Sequence, residues 1–135
     1  MTLTDAGPLV ALVDKRQKRH EICIATLPML SAPMLAPWPC FTEAMYLLYT
    51  IGGWPMQCLL WRYVRSGALT LYAPSALEII RAEALMEKYR DTPMDLADAV
   101  LVATAETLDL RQVFTLDSHF YAYRTAEGKA FDVAP

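Results

Sequence analysis

Apolar and polar positions recur along the chain in short blocks of two different periods. Residues 2–5, Thr2-Leu3-Thr4-Asp5, alternate as a strand that stops at Ala6-Gly7-Pro8, and Pro8 suits the first turn of a helix running to about Val13. Residues 14–21 are polar and mostly basic, a solvated turn and helix start, after which Ile22, Ala25 and Leu30 return near helical spacing. Residues 33–38 read as a second short strand, because their prolines make a poor helix. From Pro39 a helix carries Glu43, Leu47, Leu48 and Ile51 and ends at a Gly52-Gly53 cap; the next runs over about residues 55–66 and stops at Gly67. Residues 68–72 alternate as a third strand, and Ser75 caps a helix through about Tyr89. Thr92 as N-cap and Pro93 at the first helical position open a helix to about Leu108, and residues 113–116 and 131–133 supply the last strands.

Strands alternating with helices imply crossover units, hence a three-layer α/β/α fold with a mainly parallel sheet covered on both faces. No repeat or linker interrupts the pattern, so residues 1–135 are expected to form a single domain. Composition adds little to that. Hydrophobic residues make up 55% of the chain and charged ones 20%, which excludes a disordered chain. Two uncharged stretches, residues 22–42 and 44–61, are broken by Pro28, Pro33, Pro37 and Pro39 and by Gly52-Gly53, so neither reads as a membrane span. With no secretory leader pattern either, a cytoplasmic protein is expected. Cys23, Cys40 and Cys58 are odd in number, sit among apolar residues and match no zinc spacing, which reads as buried free thiols.

Carboxylates carry the chemistry. On the helix after Pro93, Asp98 lies four residues after Met94, three before Leu101 and four before Val102, and so falls on the apolar stripe. An ionised carboxylate facing a core costs several kcal/mol (roughly 3–5) unless a cation, an arginine or a cleft compensates it. Asp95 is placed to meet free N–H groups at the helix start. Asp5 and Asp117 each end an expected strand, where ligands bind in open parallel sheets, and Glu43 lies early in the helix after the second strand. Four converging carboxylates need neutralisation, and Mg²⁺ or Mn²⁺ suits an all-oxygen set better than zinc. His20 and His119 read as surface residues. The net charge of −3 does not announce a nucleic-acid binder, so phosphate contacts would fall to local cations: Arg16, Lys18 and Arg19 in the early turn, Arg62 and Arg65 on the fourth helix. Trp54, Trp61 and Tyr63 read as packing residues with base stacking as the alternative.

Leu3-Thr4-Asp5, Thr42-Glu43-Ala44, the run from Asp95 to Ala105, and Val113 through Phe120 together resemble the PIN-domain ribonucleases, and among them the VapC-like toxins of toxin–antitoxin pairs. The resemblance spans nearly the whole chain. It implies a doubly wound parallel sheet and Mg²⁺- or Mn²⁺-dependent RNA cleavage, with Asp5, Glu43, Asp98 and Asp117 matching the family's acidic quartet. Thr115 matches a supporting hydroxyl and Asp95 a frequent additional acid. An antitoxin partner and a homodimer are implied as well. Ala6 stands where the family often has Thr or Ser, and Leu116 where it often has Arg, which removes one phosphate contact. The competing function is a non-catalytic PIN-like module that holds RNA or peptide without cutting it. A phosphoacceptor receiver domain would need an aspartate after the central strand, and Tyr72-Ala73-Pro74 offers none.

Overall fold

A computed structural model describes residues 1–135. Five strands, β1 (Thr2–Thr4), β2 (Met34–Pro37), β3 (Leu69–Tyr72), β4 (Gln112–Phe114) and β5 (Asp132–Ala134), form one sheet in the order β3-β2-β1-β4-β5. Every pairing is parallel. The helices are α1 (Ala6–Val13), α2 (His20–Thr26), α3 (Trp38–Gly52), α4 (Trp54–Arg65), α5 (Ala76–Lys88) and α6 (Leu96–Leu108). Short 3-10 turns follow α2 (Leu27–Met29) and β4 (Ser118–Tyr121). No helix is long and apolar enough to cross a membrane.

Side chains alternate across the sheet as the two-residue strand period requires. Leu3, Leu35 and Val113 pack on one face with α5 and α6, while Met34, Ala36, Leu69 and Phe114 pack on the other with α1, α3 and α4. The three-layer α/β/α architecture is therefore as expected. Strand order is what periodicity does not contain: the chain winds outward from β1 to β3, then returns to the other side of β1 for β4 and β5. The switch point lies between β1 and β4, and in such sheets ligands bind outside the strand ends at that point.

Three element boundaries differ from expectation. The strand at the amino end stops at Thr4, because Asp5 turns into the N-cap of a helix that begins two residues before Pro8; its carboxylate accepts the Ala6 N–H. The helix expected from Pro93 begins instead at Leu96, and its N-cap is Asp95 rather than Thr92. Asp95 wins because its carboxylate reaches the Asp98 N–H at 2.8 Å, a charge-assisted cap that the Thr92 hydroxyl does not make. The fourth strand ends at Phe114, before Thr115 and Leu116.

Candidate active site

Three separate local rules bring the carboxylates to one edge of the sheet. Asp5 caps α1 directly after β1, Asp98 lies in the first turn of α6, and Asp117 caps the 3-10 turn three residues beyond β4. Glu43 reaches the same place from the second turn of α3, which starts where β2 ends. With Asp95 they line a cleft of about 270 Å³, completed by Ala6, Gly7, Leu47 and Leu116. All five acids singled out in the sequence thus meet, and Thr115 lies directly beneath them.

The floor is fixed by hydrogen bonds. Thr115 Oγ1 donates to Asp5 Oδ2 at 2.9 Å and accepts the Asp117 N–H at 3.0 Å. Asp5 Oδ1 accepts the Ala6 N–H at 2.8 Å, so both Asp5 oxygens are anchored although Ala6 offers no hydroxyl. Asp117 Oδ1 accepts its own turn's His119 N–H at 2.9 Å and lies 3.0 Å from His119 Nδ1. His119, expected at the surface, is half-exposed yet holds Asp117. Tyr123 is wholly buried, and its hydroxyl donates to the Pro93 carbonyl at 2.6 Å, tying the segment before α6 to the segment after β4.

Electrostatics follow from burial and crowding. Asp98 keeps 6% of its surface and Asp5 8%. Burial first, then repulsion from Asp5, Asp95 and Asp117, raises the Asp98 carboxyl to about 8. Burial also raises Asp5, against the Ala6 and Thr115 hydrogen bonds and with repulsion from Asp95 and Asp117. Glu43, on the open side, is raised by partial burial and then by Asp95 and Asp5. Cys40, wholly buried behind the cleft, is pushed far up by its burial and by these same acids. The apolar surface of α6 is not a one-sided stripe, however. Every residue from Ala97 to Ala105 is buried, so α6 is enclosed all round, and Asp98 escapes a dry environment only because the helix starts at the cleft.

The basic candidates lie elsewhere. Arg16, Lys18 and Arg19 follow the far end of α1, where Arg16 pairs with Asp14 at 3.3 Å. Arg62 and Arg65 occupy the last turn of α4, just before β3 begins, towards the amino ends of the strands. None of the five lines the cleft. Trp61 and Tyr63 pack against the α1–α3–α4 core, and Trp54 stands at the α3–α4 turn. Sequence reasoning missed Trp38 and Tyr46, which line an open groove beside the cleft together with Pro39, Pro74, Leu96 and Ala97. Their proximity to the acids depends on how α3 leaves β2, which no local pattern encodes.

No protein-family model matches the chain. It is 28% identical to ribonuclease VapC26 of Mycobacterium tuberculosis over 134 residues, 98% of this chain and 99% of that protein. In structure it is similar to VapC20 of M. tuberculosis, described as a sarcin–ricin loop cleaving toxin, with a TM-score of 0.86 over the whole of both chains at 15% identity. It is also similar to a toxin–antitoxin complex from Klebsiella pneumoniae, with a TM-score of 0.65 at 18% identity over 87% of this chain and 88% of that one. The likeness to VapC-like proteins expected from the sequence is thus found in both comparisons, and the fold is theirs.

Proposed function

We propose that this chain, a VapC-like protein in sequence likeness and fold, is a Mg²⁺- or Mn²⁺-dependent endoribonuclease acting as the toxin of a toxin–antitoxin pair. One observation carries the reading: Asp5, Asp98, Asp117 and Glu43 meet in an open cleft at the switch point of a parallel sheet. The ribonuclease relative supports RNA as the substrate class.

The donor set fits a hard divalent ion. All its atoms are carboxylate oxygens, and burial, then repulsion among neighbouring acids, raises the carboxyls of Asp5, Asp98 and Glu43, a cost that a bound cation would offset. No three of these side chains close into a ready chelate. Mg²⁺ is usually held by one or two carboxylates and several waters, so it does not require such a chelate. Asp5 and Asp98 would hold it, with Asp117, joined to Asp5 through Thr115, helping to hold a second ion or outer-shell waters. Bound there, the ion supplies a lowered pKa for a coordinated water and polarises the phosphate.

The remaining work falls to the protein. Thr115 and the Ala6 N–H hold the Asp5 carboxylate in one orientation, and His119 does the same for Asp117. Glu43, on the solvent side and with its carboxyl raised, is placed to orient the attacking water and take its proton. The deciding experiment is cleavage of RNA with and without EDTA by wild type and by Asp98→Asn. Loss of at least about 100-fold in the variant is expected, and undiminished EDTA-sensitive cleavage would sink the assignment. A wild type that binds RNA and never cuts it would favour the non-catalytic module.

An antitoxin partner follows from the same reading, and the K. pneumoniae complex supports it. A basic side chain entering the cleft would neutralise the carboxylates much as a cation does. A homodimer is also part of the proposal: Leu77, Ile79, Ile80 and Met86 of α5 stand exposed beside Leu96, an apolar patch that a second copy would cover. Sedimentation of wild type against Ile80→Glu tests it. The toxin reading carries with it the expectation of a cytoplasmic protein.

A further inference from the structure

We infer that the groove between Trp38 and Tyr46 holds an unpaired nucleobase of the RNA strand whose phosphodiester lies in the carboxylate cleft. The inference rests on the ribonuclease reading and adds to it the way in which the strand is gripped. Groove and cleft are continuous, because Glu43 and Asp95 form a wall of both. A strand lying in the cleft therefore has the groove directly beside it.

The groove is built for a flat uncharged group. Trp38 is 44% exposed and Tyr46 70%. The Trp38 indole is braced edge-on by the buried Phe41 ring, with centroids 5.7 Å apart at 85°, so one face is fixed by the core and the rest remains open. Pro39, Pro74 and Leu96 complete an apolar floor, and the volume of about 720 Å³ is ample for a base. Aromatic faces stack on any base without reading its edge.

Charge argues for the same occupant. No lysine or arginine lines either the groove or the cleft. Glu43 and Asp95 at the border repel a phosphate or an acidic peptide, so the part of the strand inside the groove must be its neutral part. Phosphate-led binding, the usual source of affinity for nucleic acid, has nothing to act on here beyond an ion that the carboxylates would hold. A second copy docked symmetrically on this groove would bring its own Glu43 and Asp95 to the same acidic border. Stacking is the remaining source of grip.

Binding of a randomised single-stranded RNA pool and of a base-free ribose-phosphate chain, with Mn²⁺ present and on a Glu43→Gln background that keeps Asp5 and Asp98 to hold the ion, tests the inference. Trp38→Ala and Tyr46→Ala should each weaken the RNA pool roughly 5- to 100-fold, the range expected for one stacked base. They should leave the base-free chain unchanged, and Trp54→Ala should change neither. Trp38→Ala removes a ring packed on Phe41, so Tyr46→Ala, far more exposed, is the variant that decides if the first unfolds. Equal loss for both ligands, or no loss for the RNA pool with Tyr46→Ala, would overturn the inference. So would conversion of a dimer to a monomer by either variant, which would make the groove an interface between copies. Cleavage by the otherwise native chain separates the two levels: a wild type inert on RNA fails the nuclease reading as well. A wild type that cuts RNA, with Tyr46→Ala cutting at the same KM, fails the groove alone.

Discussion

Thr115 and Asp5, 110 residues apart, are joined by a hydrogen bond of 2.9 Å that closes the seam between β1 and β4 at the floor of the cleft. The same hydroxyl accepts the Asp117 N–H, so one oxygen sets the positions of two acids. Thr115→Val should leave the Asp117 N–H without its partner and free the Asp5 carboxylate to turn. We expect a loss of about 1–3 kcal/mol in denaturant melts and roughly 10- to 100-fold weaker Mn²⁺ binding by calorimetry. Thr115→Ser should recover most of both. Full Mn²⁺ affinity in the valine variant would show that the hydroxyl positions nothing.

Stability without metal should fall as pH rises. Asp98 has its carboxyl raised to about 8 against an ordinary 3.8, so folding favours the protonated form. Its contribution is complete below about pH 4 and is lost as the pH climbs through about 8. Asp5 and Glu43 shift in the same direction. Allowing for solvent screening at the cleft mouth, the loss should be on the order of 2 kcal/mol. Thermal melts in EDTA from pH 5 to pH 9 (a window set by roughly these values) measure it. Mg²⁺ should stabilise most at the alkaline end, and a metal-free stability that rises across this range would contradict the crowding.

Asp98→Asn separates activity from folding. The variant should lose cleavage, yet in EDTA above about pH 8 it should melt no lower than wild type, because an amide there carries no charge to bury. A melting point several degrees lower (about 4–8 °C for a loss of 1 kcal/mol in a small domain) would mean that the carboxylate itself holds the start of α6 together.

The basic residues remote from the cleft should matter little. Replacing Arg62 and Arg65 together by Ala should leave kcat/KM for RNA cleavage within about threefold, and affinity should depend only shallowly on salt. A tenfold loss or a steep salt dependence would place a phosphate track along α4.

Much of this was legible in the residues before any coordinates. Ser75 and Glu78 form the capping box that starts α5, and Gly53, at φ 69°, ends α3 as the Gly52-Gly53 pair suggests. Asp98 stood out because its neighbours at helical spacing are apolar. The rest depended on tertiary choices. Thr92-Pro93 is a sound helix start, but Asp95 offers a charged cap three residues later and prevails. Leu116 continues an apolar strand pattern, yet β5 pairs only as far as Phe114, and Leu116 turns over Gly7 into the cleft wall. Arg16, Lys18 and Arg19 look available to any ligand until the direction of α1 carries them to the opposite edge. Trp38 and Tyr46 carry no signal of their own, because their significance is a position relative to Glu43.

The pairing of β1 with β4 also bears on when the cleft can form during synthesis. A chain leaving the ribosome amino end first presents Asp5 at once, but the strand beside it, its Thr115 partner and Asp117 come from the last quarter of the sequence. No shorter nascent segment contains the cleft. The order in which the strands sit in the sheet therefore makes assembly of the cleft a late event in folding, because Asp5 waits for a partner 110 residues further along the chain.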